Sequence, residues 1–103
     1  MIGIDITKTK KFAIEKNSSF IKKTFTGYEI GYSYKHTRPE IHLAGIFSAK
    51  EAIIKCINTK IEFNDIEIRH EKNGKPIAFI KNKRFSGDIS ISHTDEIAVA
   101  IAV

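Results

Sequence analysis

The sequence predicts an α+β domain in which one long helix packs on a small antiparallel sheet. Near the middle of the chain, apolar residues recur at helical spacing over several turns. After residue 58 the spacing changes to the alternation of β-strands, with a tight-turn signal between two of the runs. The 103 residues suit one compact unit, so we assign a single domain to residues 1–103.

The chain begins with a predicted strand. Isoleucines at positions 2, 4 and 6 alternate with small or polar residues, which is typical of a strand with one apolar face. Asp5 and Thr7 therefore share the other face and present oxygen atoms together. Taken alone, Asp5 is more typical of a strand-end residue that bonds to neighbouring backbone.

A mainly helical region follows this strand. Thr9 is a candidate helix N-cap, and Thr26 and Glu29 have the spacing of a capping box. The glycines and tyrosines between the box and Lys35 leave the local arrangement open.

Pro39 marks the start of the long helix, since proline fits the first helical turn. Apolar positions form two neighbouring rows: Leu43, Phe47 and Ile54, and Ile46, Ile53 and Ile57. The polar side is predicted to comprise Ala44, Ser48, Glu51 and Lys55. Glu51 and Lys55 have the spacing of an ordinary surface ion pair, but also of a site where a carboxylate holds a metal while an ammonium meets an anion.

The rest of the chain is predicted to form strands. Residues 66–80 read as a hairpin, because Asn73-Gly74 is a tight-turn signal and Pro76 suits a strand start. The next strand, residues 88–93, ends at His93. The last, residues 97–103, alternates large aliphatic residues with alanines. We expect its large residues to fill a core and its alanines to allow close approach by a helix or a second subunit.

The net charge of +5 lies entirely in the first third of the chain. Residues 1–38 hold eight basic and three acidic side chains, whereas residues 39–103 hold nine of each. Such a cationic region suits an acidic partner, whether a protein, a nucleotide or a nucleic acid; solvated surface lysines are the alternative. A nucleic-acid-binding module is disfavoured, because the chain has no zinc spacing, aromatic-rich binding strand or helix-turn-helix signature.

The composition also predicts a compartment. No apolar run reaches the roughly 18 residues needed to cross a bilayer, and Asp5 interrupts the first apolar run, so neither membrane association nor a signal peptide is expected. The lone Cys56 excludes a disulfide within one chain. We expect a cytoplasmic protein.

Four motifs, in one order, resemble those of the holo-acyl-carrier-protein synthases, the small type of 4′-phosphopantetheinyl transferase. They are Gly3–Ile6 (GIDI), Phe47–Lys55 (FSAKEAIIK), Asn73–Pro76 (NGKP) and Ser90–Thr94 (SISHT). The resemblance implies the fold of that family and a homotrimer. It also implies transfer of the phosphopantetheine arm of coenzyme A to a serine of an apo acyl carrier protein in fatty acid biosynthesis, with release of adenosine 3′,5′-bisphosphate.

The resemblance implies roles for individual residues. Asp5 and Glu51 would hold Mg²⁺, and Glu51 or a metal-bound water would accept the serine proton. Lys55 would contact the transferred phosphate, and Lys50 would assist with the nucleotide phosphates.

Two further groups of residues are assigned in the same way. Ser92, His93 and Thr94 would line the coenzyme A pocket and face the metal site of a neighbouring chain, with His93 near the ribose 3′-phosphate. Lys10 and Lys11 would receive the acidic carrier protein. The other histidines have no metal-ligand spacing and are assigned nothing.

The chain departs from the family pattern at a few positions. Ile46 stands where relatives carry arginine, a charge that Arg38 or a neighbouring chain could supply instead. Asn58-Thr-Lys-Ile61 replaces a glycine-containing turn, and Lys11 and Lys23 replace arginines. A family-derived protein that binds the carrier without catalysis is therefore an alternative function.

Overall fold

We describe all 103 residues from a computed structural model. The elements are β1 (Gly3–Lys8), α1 (Ser19–Thr24), α2 (Gly27–Tyr34), α3 (Pro39–Ile57), β2 (Ile66–His70), β3 (Pro76–Ile80), β4 (Lys83–Arg84), β5 (Ile89–His93) and β6 (Ile97–Ala102). Short 3₁₀ turns lie at Thr9–Phe12 and Phe63–Asp65. The strands form two antiparallel sheets, ordered β1-β6-β5 and β2-β3-β4. The predicted α+β class with one long helix is confirmed, although the sheet is divided in two.

Helix α3 lies across the first sheet, and small residues allow it to come close. Ala98, Ala100 and Ala102 of β6 are fully buried. On β1, a Cβ atom at Gly3 would overlap the Ala52 carbonyl oxygen of α3, so only glycine permits this approach. The predicted close contact between the alanine face and a helix is confirmed.

The expectation that the large residues of β6 fill the core is wrong. Ile97 and Ile101 are each 37% exposed, and Ile4 and Ile6 of β1 are 59% and 64% exposed on the same side. The helix covers only one face of the sheet, and it covers the face whose small side chains let it approach. The larger aliphatic residues are consequently left outward.

The larger buried side chains of α3 belong to the same core as the β6 alanines. Leu43, Ile46, Phe47 and Ile53 are buried in it, whereas Ile54 and Ile57 are partly exposed. The predicted polar side of α3 is only partly correct. Ala44 and Ser48 are fully buried, and the Ser48 hydroxyl donates to the Ala98 carbonyl at 3.5 Å.

Several local predictions are confirmed. Thr26 and Glu29 form the capping box at the start of α2, and Pro39 opens α3. Gly74 has the positive φ of 90° that the hairpin turn requires.

Asn58 adopts a left-handed conformation at φ 52° and ends α3, a geometry for which glycine is the usual residue.

Other local predictions are corrected. Thr9 does not cap a helix, because its hydroxyl donates to the Asp95 carbonyl at 2.6 Å. The stretch that the sequence left undefined forms α2, and the two-residue strand β4 had no sequence signal. No helix combines the length and apolar character needed to cross a membrane.

Candidate active site

The close packing of β1 on α3 brings Asp5 against Lys55. The Lys55 ammonium donates to the Asp5 carboxylate at 3.3 Å and to the Ile4 carbonyl at 2.9 Å. The Asp5 side chain is 13% exposed and that of Lys55 is 53% exposed. Gly3, two residues before Asp5, is what allows this approach.

Thr7 fixes the other side of the Asp5 carboxylate. Its hydroxyl donates to Asp5 Oδ2 at 2.9 Å, while Lys55 occupies Oδ1. Thr7 is itself buried, so this hydrogen bond fixes the orientation of the Asp5 carboxylate from the interior of the protein. The prediction that Asp5 and Thr7 share a face is confirmed.

Glu51 lies one turn before Lys55 and is half-buried. Its side chain makes no hydrogen bond or salt bridge within the chain, and the predicted surface pair between Glu51 and Lys55 is absent because Lys55 turns to Asp5 instead. Asp5, Thr7 and Glu51 line one groove of about 450 Å³. The structure therefore brings two carboxylates and a hydroxyl together, with one carboxylate unpartnered.

Lys10 and Lys11 border the same groove from the 3₁₀ turn that follows β1, and both are exposed. The Lys11 ammonium lies 4.5 Å from the centre of the Phe47 ring and 5.7 Å from that of Phe12. Aromatic faces attract ammonium groups at these distances. They hold the charge of Lys11 at the rim of the groove.

The structure contradicts the assignment of Lys50 to coenzyme A. The Lys50 side chain has no exposed surface, and its ammonium lies 2.6 Å from the equally buried Glu29 carboxylate. It also donates to the Thr24 and Phe63 carbonyls at 2.9 and 3.0 Å. Neighbouring helical residues point about 100° apart, so Lys50 faces the interior while Glu51 faces the groove.

Sequence reasoning missed the partnership of Lys50 with Glu29, although both left a signal. Lys50 stands three residues from Phe47 and from Ile53, inside the apolar row of α3. The capping box uses one Glu29 oxygen, and the other accepts from the Ile68 amide at 2.6 Å. Burial raises the pKa of Glu29 and lowers the pKa of Lys50, and their mutual attraction opposes both shifts.

Ser92, His93 and Thr94 lie elsewhere on the chain. They are exposed at the end of β5 and line a separate groove of about 220 Å³. Strand β6 lies between β5 and β1, and no residue lines both grooves. The Thr94 hydroxyl accepts from the Glu96 and Ile97 amides, which fixes the turn after β5. One chain alone does not join these residues to Asp5 and Glu51.

The departures from the family pattern are visible in the structure. Ile46 is 1% exposed and presents no charge. Arg38 does not supply a free cation in its place, because it pairs with Glu40 and with Asp95, each at 3.2 Å.

The carboxylates of Asp5 and Glu51 are the candidate ligands for a divalent metal in this groove. No group of three or more histidine, cysteine, aspartate or glutamate side chains has the geometry of a metal site. Two carboxylates on one groove, one of them free of protein partners, fit a hard ion such as Mg²⁺ that keeps most of its water. They do not fit an ion that requires a full set of protein ligands.

The chain is similar to known proteins over nearly its whole length. Residues 1–102 match the family model of the 4′-phosphopantetheinyl transferase superfamily. The chain is similar to holo-[acyl-carrier-protein] synthases of Thermodesulfovibrio yellowstonii, at 36% identity over 99% of this chain and 95% of that one, and of Clostridium tetani, at 37% identity over 99% and 92%.

Solved structures are similar over the same extent. A holo-(acyl-carrier-protein) synthase from Bacillus anthracis, in complex with CoA (3′,5′-ADP), has a TM-score of 0.81 and 32% identity, covering 98% of this chain and 91% of that one. The synthase from Helicobacter pylori in complex with coenzyme A has a TM-score of 0.84 and 27% identity, covering 100% and 98%.

Proposed function

The chain belongs to the holo-[acyl-carrier-protein] synthases of the 4′-phosphopantetheinyl transferase superfamily, and we propose how its residues perform that reaction. The substrates are coenzyme A and an apo acyl carrier protein, and the products are the holo carrier and adenosine 3′,5′-bisphosphate. We place the reaction in fatty acid biosynthesis in the cytoplasm, since both substrates belong to biosynthesis inside the cell. The observation that carries the proposal is the meeting of Asp5, Glu51 and Lys55 between β1 and α3.

The bond changes assign a task to each of these residues. The carrier serine oxygen attacks the phosphorus next to the pantetheine arm, and the bond from that phosphorus to the bridging oxygen breaks. The bridging oxygen leaves with adenosine 3′,5′-bisphosphate. Glu51, the carboxylate without a partner, accepts the serine proton, and Lys55 offsets the negative charge that develops on the leaving phosphate.

Asp5 acts through position and charge. It holds the Lys55 ammonium at 3.3 Å and is itself oriented by Thr7 at 2.9 Å. Asp5 and Glu51 are the residues that would hold Mg²⁺. When bound, the ion would neutralise the pyrophosphate and align it with the groove.

We propose that a homotrimer completes the site. The outward face of β1 and β6 exposes an unusually apolar set: Ile2, Ile4, Ile6, Ile97, Ile101 and Val103. Contiguous apolar surface of this kind marks an interface. Association across it supports a site in which Ser92, His93 and Thr94 of one chain hold coenzyme A against Asp5 and Glu51 of the next.

Lys10 and Lys11 would receive the carrier. They border the groove that contains the proposed proton acceptor, so an acidic helix docked on them would bring its serine toward Glu51. Attraction between opposite charges would speed this encounter.

Intact-mass spectrometry tests the proposal. Apo acyl carrier protein is incubated with this protein, coenzyme A and Mg²⁺, with an EDTA control. A gain of one phosphopantetheine that requires the metal is expected. No gain with several carriers, from a folded protein that still binds them, would favour the alternative of a carrier-binding protein without turnover.

A further inference from the structure

Lys55 is held on strand β1 and not in the groove where the reaction is proposed to occur. Its ammonium donates to the Ile4 carbonyl at 2.9 Å and to Asp5 Oδ1 at 3.3 Å. Asp5 and Glu51 line the groove, whereas Lys55 does not. The basic residues that line it are Lys8, Lys10 and Lys11. Lys55 must therefore change position before its ammonium can act in the groove.

The contacts that hold Lys55 are easily exchanged for others. Its side chain is 53% exposed, and ion pairs open to solvent are weak. The ammonium is carried on a flexible stem of four carbon atoms. Glu51 lies one turn earlier on the same side of α3, so the two side chains are neighbours on the helix surface. Lys55 can accordingly leave Asp5 and reach over the groove beside Glu51.

The two carboxylates of the groove differ in their occupation. The Glu51 side chain has no partner within the chain, whereas both oxygens of Asp5 are engaged, Oδ1 by Lys55 and Oδ2 by the Thr7 hydroxyl at 2.9 Å. A cation that shares Asp5 with Lys55 repels the Lys55 ammonium and weakens its attraction to the carboxylate. Thr7 is neutral and meets no such conflict. Lys55 is consequently the partner of Asp5 that a second cation would release.

We propose that Lys55 exchanges partners during the binding of substrate. It rests on Asp5 in the chain alone, and it moves to a phosphate of coenzyme A when a divalent cation neutralises Asp5. This inference rests on the proposed function, which assigns the metal and coenzyme A to the groove. It adds that Asp5 controls the availability of Lys55, so that metal and coenzyme A strengthen each other's binding.

The charges at the site favour this order. Asp5 and Glu51 carry one negative charge each and Lys55 carries one positive charge, so their sum is negative and repels phosphate. A divalent cation reverses the sign of that sum. Lys55 then has a neutralised carboxylate on one side and an unneutralised phosphate on the other, and the phosphate attracts it more strongly. The ammonium is thus offered to the phosphate only when the metal is in place.

Two other arrangements of Lys55 lead to different binding behaviour. If Lys55 stayed on Asp5 throughout, it would contribute nothing to the affinity for coenzyme A. If it touched the phosphate without leaving Asp5, it would contribute equally with and without metal. Only an exchange of partners makes its contribution depend on the metal. By linkage, coenzyme A then changes the affinity for the metal by the same factor.

The test is a pair of coenzyme A titrations, one with Mg²⁺ and one with EDTA, for the unmodified protein and for Lys55→Met. Chemical-shift changes in two-dimensional NMR follow the binding, so that weak affinities are measured as well. With Mg²⁺ the variant should bind about tenfold more weakly than the unmodified protein, and with EDTA the two should agree within about twofold. Equal weakening in both conditions, or weakening in neither, would overturn the proposal.

Lys8→Met is the matched control. Lys8 is exposed on the groove wall and forms no ion pair within the chain. Its charge is therefore available to phosphate whether or not a metal is bound. Loss of this charge should change the affinity for coenzyme A by the same factor with Mg²⁺ and with EDTA. A metal-dependent loss as large as that in Lys55→Met would overturn the assignment to Lys55.

Asp5→Asn reverses the expectation in EDTA. Without the carboxylate charge, Lys55 is no longer held on β1, so the variant should bind coenzyme A more tightly than the unmodified protein in the absence of metal. The double variant Asp5→Asn/Lys55→Met should lose this gain. A gain that persists in the double variant would mean that it came only from removing a negative charge, and the exchange would be refuted.

The unmodified protein gives an independent measurement if a variant fails to fold. In protein with ¹³C-labelled lysine, the signal of the Lys55 ε-carbon is identified by its absence from Lys55→Arg. Coenzyme A in EDTA should leave this signal in place, and addition of Mg²⁺ should move it. A movement already complete in EDTA would overturn the proposal.

The mass assay of carrier modification separates this inference from the proposed function. Metal-dependent modification of the carrier, with equal coupling in the unmodified protein and in Lys55→Met, would overturn the exchange and leave the proposed function intact. No binding of coenzyme A in either condition would overturn both.

Discussion

Lys50 and Glu29 form an ion pair 2.6 Å long in which neither side chain has any exposed surface. The pair joins α3 to the start of α2, and Glu29 extends the connection to β2 through the Ile68 amide. Lys50 is adjacent in sequence to Glu51, so the contact that fixes the inner side of α3 also fixes the direction in which Glu51 faces the groove.

Lys50→Met should destabilise the fold strongly. It would leave the Glu29 carboxylate buried without its cation, which typically costs about 3–5 kcal/mol. Urea unfolding at fixed protein concentration measures this loss. The double variant Lys50→Met/Glu29→Gln should recover part of it, since Gln removes the unpaired charge and keeps one acceptor for the capping box, while the Ile68 amide loses its acceptor. A double variant as unstable as Lys50→Met would argue against an electrostatic cause.

Glu51→Gln and Asp5→Asn should remove turnover while leaving the fold nearly intact. The Glu51 side chain has no hydrogen bond or salt bridge within the chain to lose, and Asn at position 5 still offers an oxygen to Thr7. Loss of a proton acceptor typically lowers kcat by about 10²–10⁴-fold, and the mass assay followed over time measures it. Unfolding curves supply the control for structure. Full activity in Glu51→Gln would contradict its role as acceptor and metal ligand.

The sequence predicted which residues of β1 and α3 share a face better than it predicted the packing around them. Helical periodicity alone places Glu51 and Lys55 on one side of α3, and strand alternation places Asp5 beside Thr7. Which face of β1 and β6 meets the helix was misjudged, since hydrophobicity favours burying isoleucines. The face that meets α3 instead carries Gly3, Asp5 and Thr7 of β1 and the three alanines of β6, because α3 comes too close for isoleucines. The approach of the His42 ring to those of His36 and His93 was missed because the three histidines come from separate elements and share no spacing.

Lys11→Glu should mainly weaken the encounter with the carrier. Lys11 is exposed at the rim of the groove, held over Phe47 at 4.5 Å, and makes no ion pair within the chain. Reversal of its charge should raise KM for the carrier by about tenfold with little change in kcat. The matched control is Lys83→Glu on β4, which changes the net charge equally. An equal effect of both variants would mean that only the overall charge matters.

Ile101→Glu should separate the subunits. Ile101 lies opposite Ile4 on the outward face of the first sheet and is 37% exposed in a single chain. A charge there costs little in a monomer but becomes costly when a second chain buries it. Light scattering after size exclusion should show a smaller species, with activity lost as well. Ile14→Glu, also exposed but outside the sheets, is the control. A monomer before mutation would refute the trimer.

His42 should make the fold sensitive to acid, because its ring is half-buried and stacks on the ring of His36 with the centroids 3.8 Å apart. His42 has its pKa lowered from 6.5 to about 4 in the folded chain, so the unfolded chain binds the proton more readily. The contribution of neutral His42 to the free energy of unfolding is therefore complete above pH 6.5. It is lost as the pH falls from 6.5 towards 4, because the unfolded chain then takes up a proton that the folded chain does not. Because His42 is partly solvated, screening reduces the effect to about 1–2 kcal/mol.

Urea unfolding at pH 7.5 and 4.5 measures this loss, and His42→Phe isolates it from the titration of carboxylates. The phenyl ring can keep the stacking on His36 but cannot take a proton. The variant should lose less stability than the unmodified protein between the two pH values, by the same 1–2 kcal/mol or so. An equal loss of stability in both proteins would mean that His42 takes up no proton on unfolding. The acid sensitivity would then come from other groups.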